Sequence, residues 1–373
     1  MNYRSCRSPA VALLGVVALL AAACKGNSGS DPSGSPAATN TAAGDVSLTG
    51  SGSSFINPLM SKWVAAYQGA EAPERKVKIN YQSVGSGAGI KAILDKTVDF
   101  AASDAALSDE QLAKAPNKIL HVPLTLGAVV ITYNVKDVPD HLKMTPEVVA
   151  GIFGGEIKTW NDAKIASVNA DVKLPATPIG VVYRSDGSGT TAVFTNYLST
   201  VSAAWKTKVG TATSVKWPAG TGANGNAGVT NQVKQTPGSI AYVELAYALE
   251  NKLPVASLKN RAGKFVDPTL EGITAAAEGA STKIPEDLRM PLVDAEGNTA
   301  YPIAAFTYAL VYEDNADPSR GTALSSFLWW AIHDGQKLGP GLHYAALPPA
   351  VVAKAEAKLK SLKAAGKPLL TGK

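Results

Sequence analysis

Three short stretches carry glycine and serine where a strand pattern ends and a helical one begins: Gly50-Ser51-Gly52-Ser53-Ser54-Phe55, Gly85-Ser86-Gly87-Ala88-Gly89 and Asp186-Gly187-Ser188-Gly189-Thr190. A β-like run precedes each, Val46 to Thr49, Val77 to Val84 and Ile179 to Tyr183. Such a turn leaves the first N–H groups of the following helix unpaired, at the end where the helix dipole favours negative charge. Arg184 stands just ahead of the third turn. One such turn is ordinary, because serine is a favoured N-cap for reasons unconnected with any ligand. Three of them with an arginine point to a small anion held from several sides. Asp104, in Ala101-Ala102-Ser103-Asp104-Ala105, lies just past a short apolar strand among small residues. It is either a turn former or a carboxylate placed inside that site.

Other chemistries lack their residues. Ser188 sits directly between glycines, so no Gly-x-Ser-x-Gly elbow appears at these turns. The four histidines, His121, His141, His333 and His343, show no metal-ligand spacing, and neither a metal nor a cofactor is expected. Gly220-Thr221-Gly222-Ala223-Asn224-Gly225 matches G-x-G-x-x-G, but Trp217-Pro218 precedes it and Gly228 follows. That context fails for a dinucleotide site and reads as a loop.

The elements that must carry these turns alternate between strand and helix. Leu59, Trp63 and Tyr67 recur at helical spacing, Lys76 to Tyr81 alternates as a strand, and Ile90, Ile93 and Leu94 mark a second helix. Val98 to Ala102 reads as a strand, and Ser108-Asp109-Glu110-Gln111 opens a helix with a capping box. The pattern predicts an α/β fold with mostly parallel sheets. Two long β-rich runs, Val122 to Asn134 and Tyr301 to Tyr312, read as strands crossing between two lobes. Helices around Leu324 to Ile332 and Ala350 to Lys363 complete the first lobe. The expected division is 46–125 with 310–373 for lobe I and 126–309 for lobe II. Ligands in such sheets bind beyond the carboxyl ends of strands, where the turns lie.

The first residues read as an export signal. Arg4 and Arg7 precede an apolar run, Ala10 to Ala23, that is too short for a stable span. Leu20-Ala21-Ala22-Ala23-Cys24 resembles a bacterial lipoprotein cleavage site with Cys24 lipidated; the alternative is ordinary secretory cleavage near Ala23. Residues 1–23 are thus a signal peptide, and 24–45 a lipidated cysteine and flexible linker without Val, Leu, Ile or aromatic residues. Cys6 and Cys24 are the only cysteines, so the mature body has no internal disulfide and no thiol chemistry. The net charge is +5, or +3 once Arg4 and Arg7 are removed, with no dense basic cluster of the kind nucleic acid requires.

Several segments resemble the phosphate-binding proteins of bacterial phosphate ABC transporters. They are Ser47 to Phe55, Tyr81 to Gly87, Val98 to Asp104, Ile157 to Asp162, Arg184 to Thr191, Val215 to Pro218 and Pro237 to Glu244, in the family's order. The resemblance implies a two-lobed, type II periplasmic-binding-protein fold closing on inorganic phosphate. By position, it places ligand contacts on Ser54, Phe55 (through its N–H), Ser86 and Asp104 from one lobe. From the other come Arg184, Ser188, Gly189 and Thr190, with Asp186 pairing the arginine. It implies a monomeric receptor, exported and held at the periplasmic or cell surface by a lipid anchor. Such a receptor serves membrane permease subunits and their ATPase and is not itself an enzyme. An ionised Asp104 can only accept a hydrogen bond, so it suits a P–OH and opposes fully ionised sulfate. Other readings are a receptor for a different tetrahedral oxyanion, such as arsenate, and a secreted phosphomonoesterase using Ser188 or Ser54. The latter has no evident base or metal cluster.

Overall fold

The computed structural model describes residues 46–69 and 76–370. The export signal, Cys24 and the linker to residue 45 lie outside the described residues. Chain order begins with β1 (Val46–Gly52), α1 (Asn57–Tyr67), β2 (Val77–Ser83), α2 (Ser86–Leu94), β3 (Phe100–Ser103) and α3 (Asp109–Lys114). The long strand β4 (Ile119–Asn134) follows, then β5 (Gly180–Arg184), α4 (Gly189–Val201), β6 (Thr221–Ala223), α5 (Gly225–Gln235) and β7 (Ser239–Glu244). The chain returns through β8 (Ile303–Tyr312) to α6 (Pro318–Ile332) and α7 (Pro349–Lys360). Among the described residues these strands form one nine-stranded mixed sheet, ordered β2-β1-β3-β8-β4-β7-β5-β6, with Leu292–Val293 paired onto β8.

The first lobe is built on β1, with β2 and β3 parallel on either side; the second is built on β5, with β6 and β7 parallel to it. The two crossing strands supply the antiparallel joints. Ile119 to Ala128 of β4 pair with β8, and Val129 to Asn134 pair with β7. Fifteen of the sixteen β4 residues are buried, as expected of a strand covered on both faces. The β4–β8 register shifts between Thr307 and Tyr308, opposite Thr125 and Pro123. Pro123 has no N–H for the ladder, which is where an irregularity is tolerated.

The helices follow from their apolar spacing and caps. α1 buries Leu59, Met60, Trp63 and Tyr67 on one stripe, and the Trp63 indole N–H donates to the Gly335 carbonyl at 2.7 Å. The capping box at Ser108 forms in both directions with Gln111. In the second lobe Trp217 stacks against Tyr183 and Tyr242, with ring centroids 5.2 and 5.4 Å apart. That cluster fixes the end of β5, because the Tyr242 hydroxyl accepts from the Arg184 N–H at 3.1 Å.

One sequence expectation is corrected. Residues 220–225 are not simply a loop: Thr221–Ala223 pair with β5, and a helix starts at Gly225 and runs through Gly228. Burial of Val229 and Val233 holds that helix, outweighing the ~1 kcal/mol that an interior glycine costs.

Candidate functional site

The first turn is held by its carbonyls. Ser53, Ser54 and Phe55 each give their carbonyl oxygen to a tyrosine hydroxyl: Tyr81 at 2.7 Å, Tyr247 at 2.7 Å and Tyr344 at 2.6 Å. Tyr247 belongs to the second lobe, so this loop is fixed from both sides. The Phe55 N–H, which the family resemblance gave to the ligand, donates here to Ser53 Oγ at 3.0 Å.

Asp104 follows β3 and is buried. Three hydroxyls reach its carboxylate: Ser53 at 2.7 and 2.8 Å to the two oxygens, Thr307 at 2.7 Å and Ser86 at 3.3 Å. Burial pushes its pKa from 3.8 up to about 6, against the opposing pull of those hydroxyls and the Arg184 charge. Ser53 and Thr307 were not picked out from the sequence. Thr307 sits at the β4–β8 irregularity, where a bulge can redirect a side chain.

On the second lobe Arg184 is buried at the end of β5. Its Nε and Nη2 form a fork on Asp186 at 2.7 and 2.5 Å, and Nη1 donates to Thr190 Oγ1 at 3.3 Å. A guanidinium has five N–H donors, so two remain uncommitted. Asp186 also accepts from the Gly225 N–H at 3.0 Å. Burial opposes its charge, but Arg184 and the N–H donors hold its carboxyl below the usual range. Ser188 caps α4, its Oγ accepting the Thr191 N–H at 3.0 Å. The N–H groups of Gly189 and Thr190 have no protein acceptor among the described residues.

These groups converge. A Cβ placed on Gly189 would stand 2.4 Å from both Asp104 Oδ2 and Ser86 Oγ, so the start of α4 meets the Asp104 side of the cleft. The Gly87 N–H donates to the Gly187 carbonyl at 2.8 Å, joining the second and third turns across it. Asn226, in the first turn of α5, reaches Ser54 and Thr190 together. Ser54, Ser86, Asp104, Arg184, Ser188 and Thr190 are all buried, and the contacts of Gly87, Gly189 and Asn226 bring the turns that carry them together. Gly189→Ala would press its methyl against buried Asp104 and Ser86, so the two sides must part or strain. We expect the anion-free protein to melt a few degrees lower, read by thermal melts.

Glu244 at the end of β7 is a further buried carboxyl missed in the sequence. Its Oε2 accepts from the Ala246 N–H at 2.9 Å and meets the Tyr344 hydroxyl at 3.2 Å, while Oε1 has no protein partner. Burial, and to a lesser degree the Asp104 charge, pushes its pKa well up. It thereby favours the neutral form and adds little repulsion to an anion.

A family model described as a PBP superfamily domain matches residues 35–334. A phosphate-binding protein PstS from Xylella fastidiosa is 45% identical over 313 residues, covering 84% of this chain and 84% of that protein. Another from Pasteurella multocida is 42% identical over 315 residues, 84% of this chain and 90% of that protein. Among solved structures, a high-affinity periplasmic phosphate-binding protein (PfluDING) bound with phosphate gives a TM-score of 0.64 at 23% identity, covering 84% of this chain and 93% of that one. A phosphate-binding protein from Stenotrophomonas maltophilia gives 0.66 at 20% identity over the same shares. The chain belongs to the PBP superfamily and, within it, to the family of PstS phosphate-binding proteins.

Proposed function

We propose that this protein binds inorganic phosphate with high affinity and delivers it to an ABC-type importer. The observation that carries the reading is a buried carboxylate in a site otherwise made of donors. Uncommitted donors on Arg184, the N–H groups of Gly189 and Thr190, and the hydroxyls of Ser54, Ser188 and Thr190 face the phosphate oxygens, and Ser86 joins them by giving up its 3.3 Å bond to Asp104. Asp104 accepts the hydrogen bond that the P–OH donates. The Phe55 N–H stays in the ligand set once phosphate displaces its bond to Ser53, and Asp186 acts through Arg184. The relatives, phosphate-binding proteins at 45% and 42% identity, support the ligand. A receptor from Vibrio cholerae, described as an ABC-type phosphate transport receptor, matches at TM-score 0.53 and supports the fold.

The protein does no chemistry itself; ATP is used by its partners, an ATPase working with membrane permease subunits. Lobe I comprises 46–125 and 310–373 and lobe II 126–309, the boundaries falling inside β4 and β8. The body is an exported monomer, anchored at the membrane through lipidated Cys24 and ranging on its linker. No helix among the described residues is long and apolar enough to cross a membrane.

Calorimetric titration of the soluble body is expected to give a phosphate Kd of ~1 μM or tighter, about −8 kcal/mol, with sulfate far weaker at pH 7.5. Comparable affinities for the two anions at that pH defeat the reading. Lowering the pH protonates Asp104, which then offers sulfate an O–H donor. With a pKa of about 6, the protonated fraction rises from a few per cent at pH 7.5 to most molecules at pH 5. Sulfate should therefore bind ~30-fold tighter at the lower pH.

A further inference from the structure

We infer that Asn226 is a positioning residue that makes Ser54 and Thr190 donate to the anion and clasps the two lobes together over it. The inference rests on the phosphate reading above and concerns a residue outside the ligand set.

Asn226 is fully buried at the start of α5, and every polar atom of its side chain is engaged. Its Oδ1 accepts the Glu244 N–H at 3.1 Å, which fixes the amide's orientation. Both hydrogens of Nδ2 then have acceptors: Ser54 Oγ at 3.1 Å and Thr190 Oγ1 at 3.1 Å. The Asn226 backbone N–H adds a second contact to Ser54 Oγ at 3.3 Å. The side chain thus bridges a first-lobe turn and the second lobe's α4.

A hydroxyl has two lone pairs and one proton. Ser54 Oγ receives the Asn226 backbone and side-chain N–H groups. Thr190 Oγ1 receives Asn226 Nδ2 and Arg184 Nη1, the latter at 3.3 Å. The lone pairs of both hydroxyls are filled by donors, and neither has a protein acceptor for its own proton among the described residues. Each O–H is left to donate to the ligand. Ser53 shows the opposite arrangement: its proton is given to Asp104, so it has none to offer the anion. Asn226 thus leaves the protons of Ser54 and Thr190 to the ligand.

The test is Asn226→Asp, which keeps the shape and the acceptor for the Glu244 N–H but replaces two donors by an acceptor. Ser54 and Thr190 would then turn their protons to the new carboxylate, which also adds a negative charge beside the anion. At pH 7.5 phosphate binding to N226D should weaken by at least about 100-fold against wild type. The ratio of variant to wild-type affinity should recover as pH falls and the new carboxyl regains a proton. Arg184, Asp186, Asp104 and Glu244, the other titratable groups around this position, are common to both proteins, so the ratio reads the new carboxyl together with its coupling to them.

A second measurement covers loss of folding in N226D. Asn226→Ala should cost ~30-fold in the wild-type background but only a few-fold in a Ser54→Ala/Thr190→Ala background, because its partners are already gone. Wild-type binding in N226D, a ratio flat with pH, or a full N226A loss in the doubly truncated protein overturns the inference. Absence of phosphate binding by the wild type sinks the functional reading itself, a different and separately visible result.

Discussion

Replacing Arg184 by alanine is expected to weaken phosphate binding by about 1,000-fold, roughly 4 kcal/mol, as read by calorimetry or by displacement of labelled phosphate. The size follows from what the side chain has left to give. Three of its five N–H groups are committed to Asp186 and Thr190, which leaves two on a buried, rigidly held cation. Hydrogen bonds to a charged partner contribute ~1.5–3 kcal/mol each, and the fork on Asp186 removes most of the ordering entropy beforehand. Arg184→Lys keeps the charge but not the planar fork, and should fall between the two. The alanine variant also leaves Asp186 without its main partner. Asp186 is held below its unfolded pKa, so it adds stability above that pKa which is lost as pH falls through the folded value. R184A should lack that contribution, and its melting temperature should drop less than the wild type's between pH 6 and pH 3. Wild-type affinity in R184A would place the anion elsewhere in the molecule.

What could be read from the sequence was local. The three Gly/Ser turns are each a strand end, a cap and a helix start, and such signals need no knowledge of the rest of the chain. Arg184 and Asp186 were legible because both flank one of those turns. The crossing strands were visible as long β-rich runs, since a strand buried on both faces has no polar alternation to hide it. Thr307 was not legible. It meets Asp104 across 203 residues of sequence, from a place where a proline on the opposite strand breaks the ladder. Only the register reveals which β8 residue arrives there. Asn226 was obscured for another reason. The glycines that made 220–225 look like a loop accompany a strand–turn–helix, because burial of one helix face overrides the propensity of a single glycine. Ser53 and Ser54 are adjacent and chemically identical, yet one serves Asp104 and the other Asn226. Composition cannot separate them; the direction of consecutive side chains does.

Asp104→Asn is expected to narrow the discrimination between phosphate and sulfate by ~30-fold at pH 7.5 while making the empty protein more stable, and the pairing of these outcomes is diagnostic. With a folded pKa of about 6 against 3.8 unfolded, the native state binds the extra proton between those values. Stability therefore falls as pH rises from about 4 to 6 and stays lower above. A shift of about two units corresponds to ~3 kcal/mol of cost at neutral pH. A neutral amide of the same shape avoids it, because Ser53 and Thr307 can rotate their hydroxyls to accept. The anion-free variant should melt several degrees higher at pH 7.5, and the gap should close by pH 4, where wild-type Asp104 is itself protonated. Binding should change in the other sense. The wild-type carboxylate has only acceptors, so sulfate must first see Asp104 protonated, which at pH 7.5 costs a factor of ~30 with a pKa of about 6. The asparagine amide can give sulfate an N–H without that step, so sulfate should gain ~30-fold and the phosphate preference shrink by the same factor. The pH dependence of sulfate binding should vanish in D104N, since the group whose protonation drives it is gone. A variant that is more stable yet still excludes sulfate would assign selectivity to another residue and leave Asp104 as a buried charge whose cost has no return in specificity.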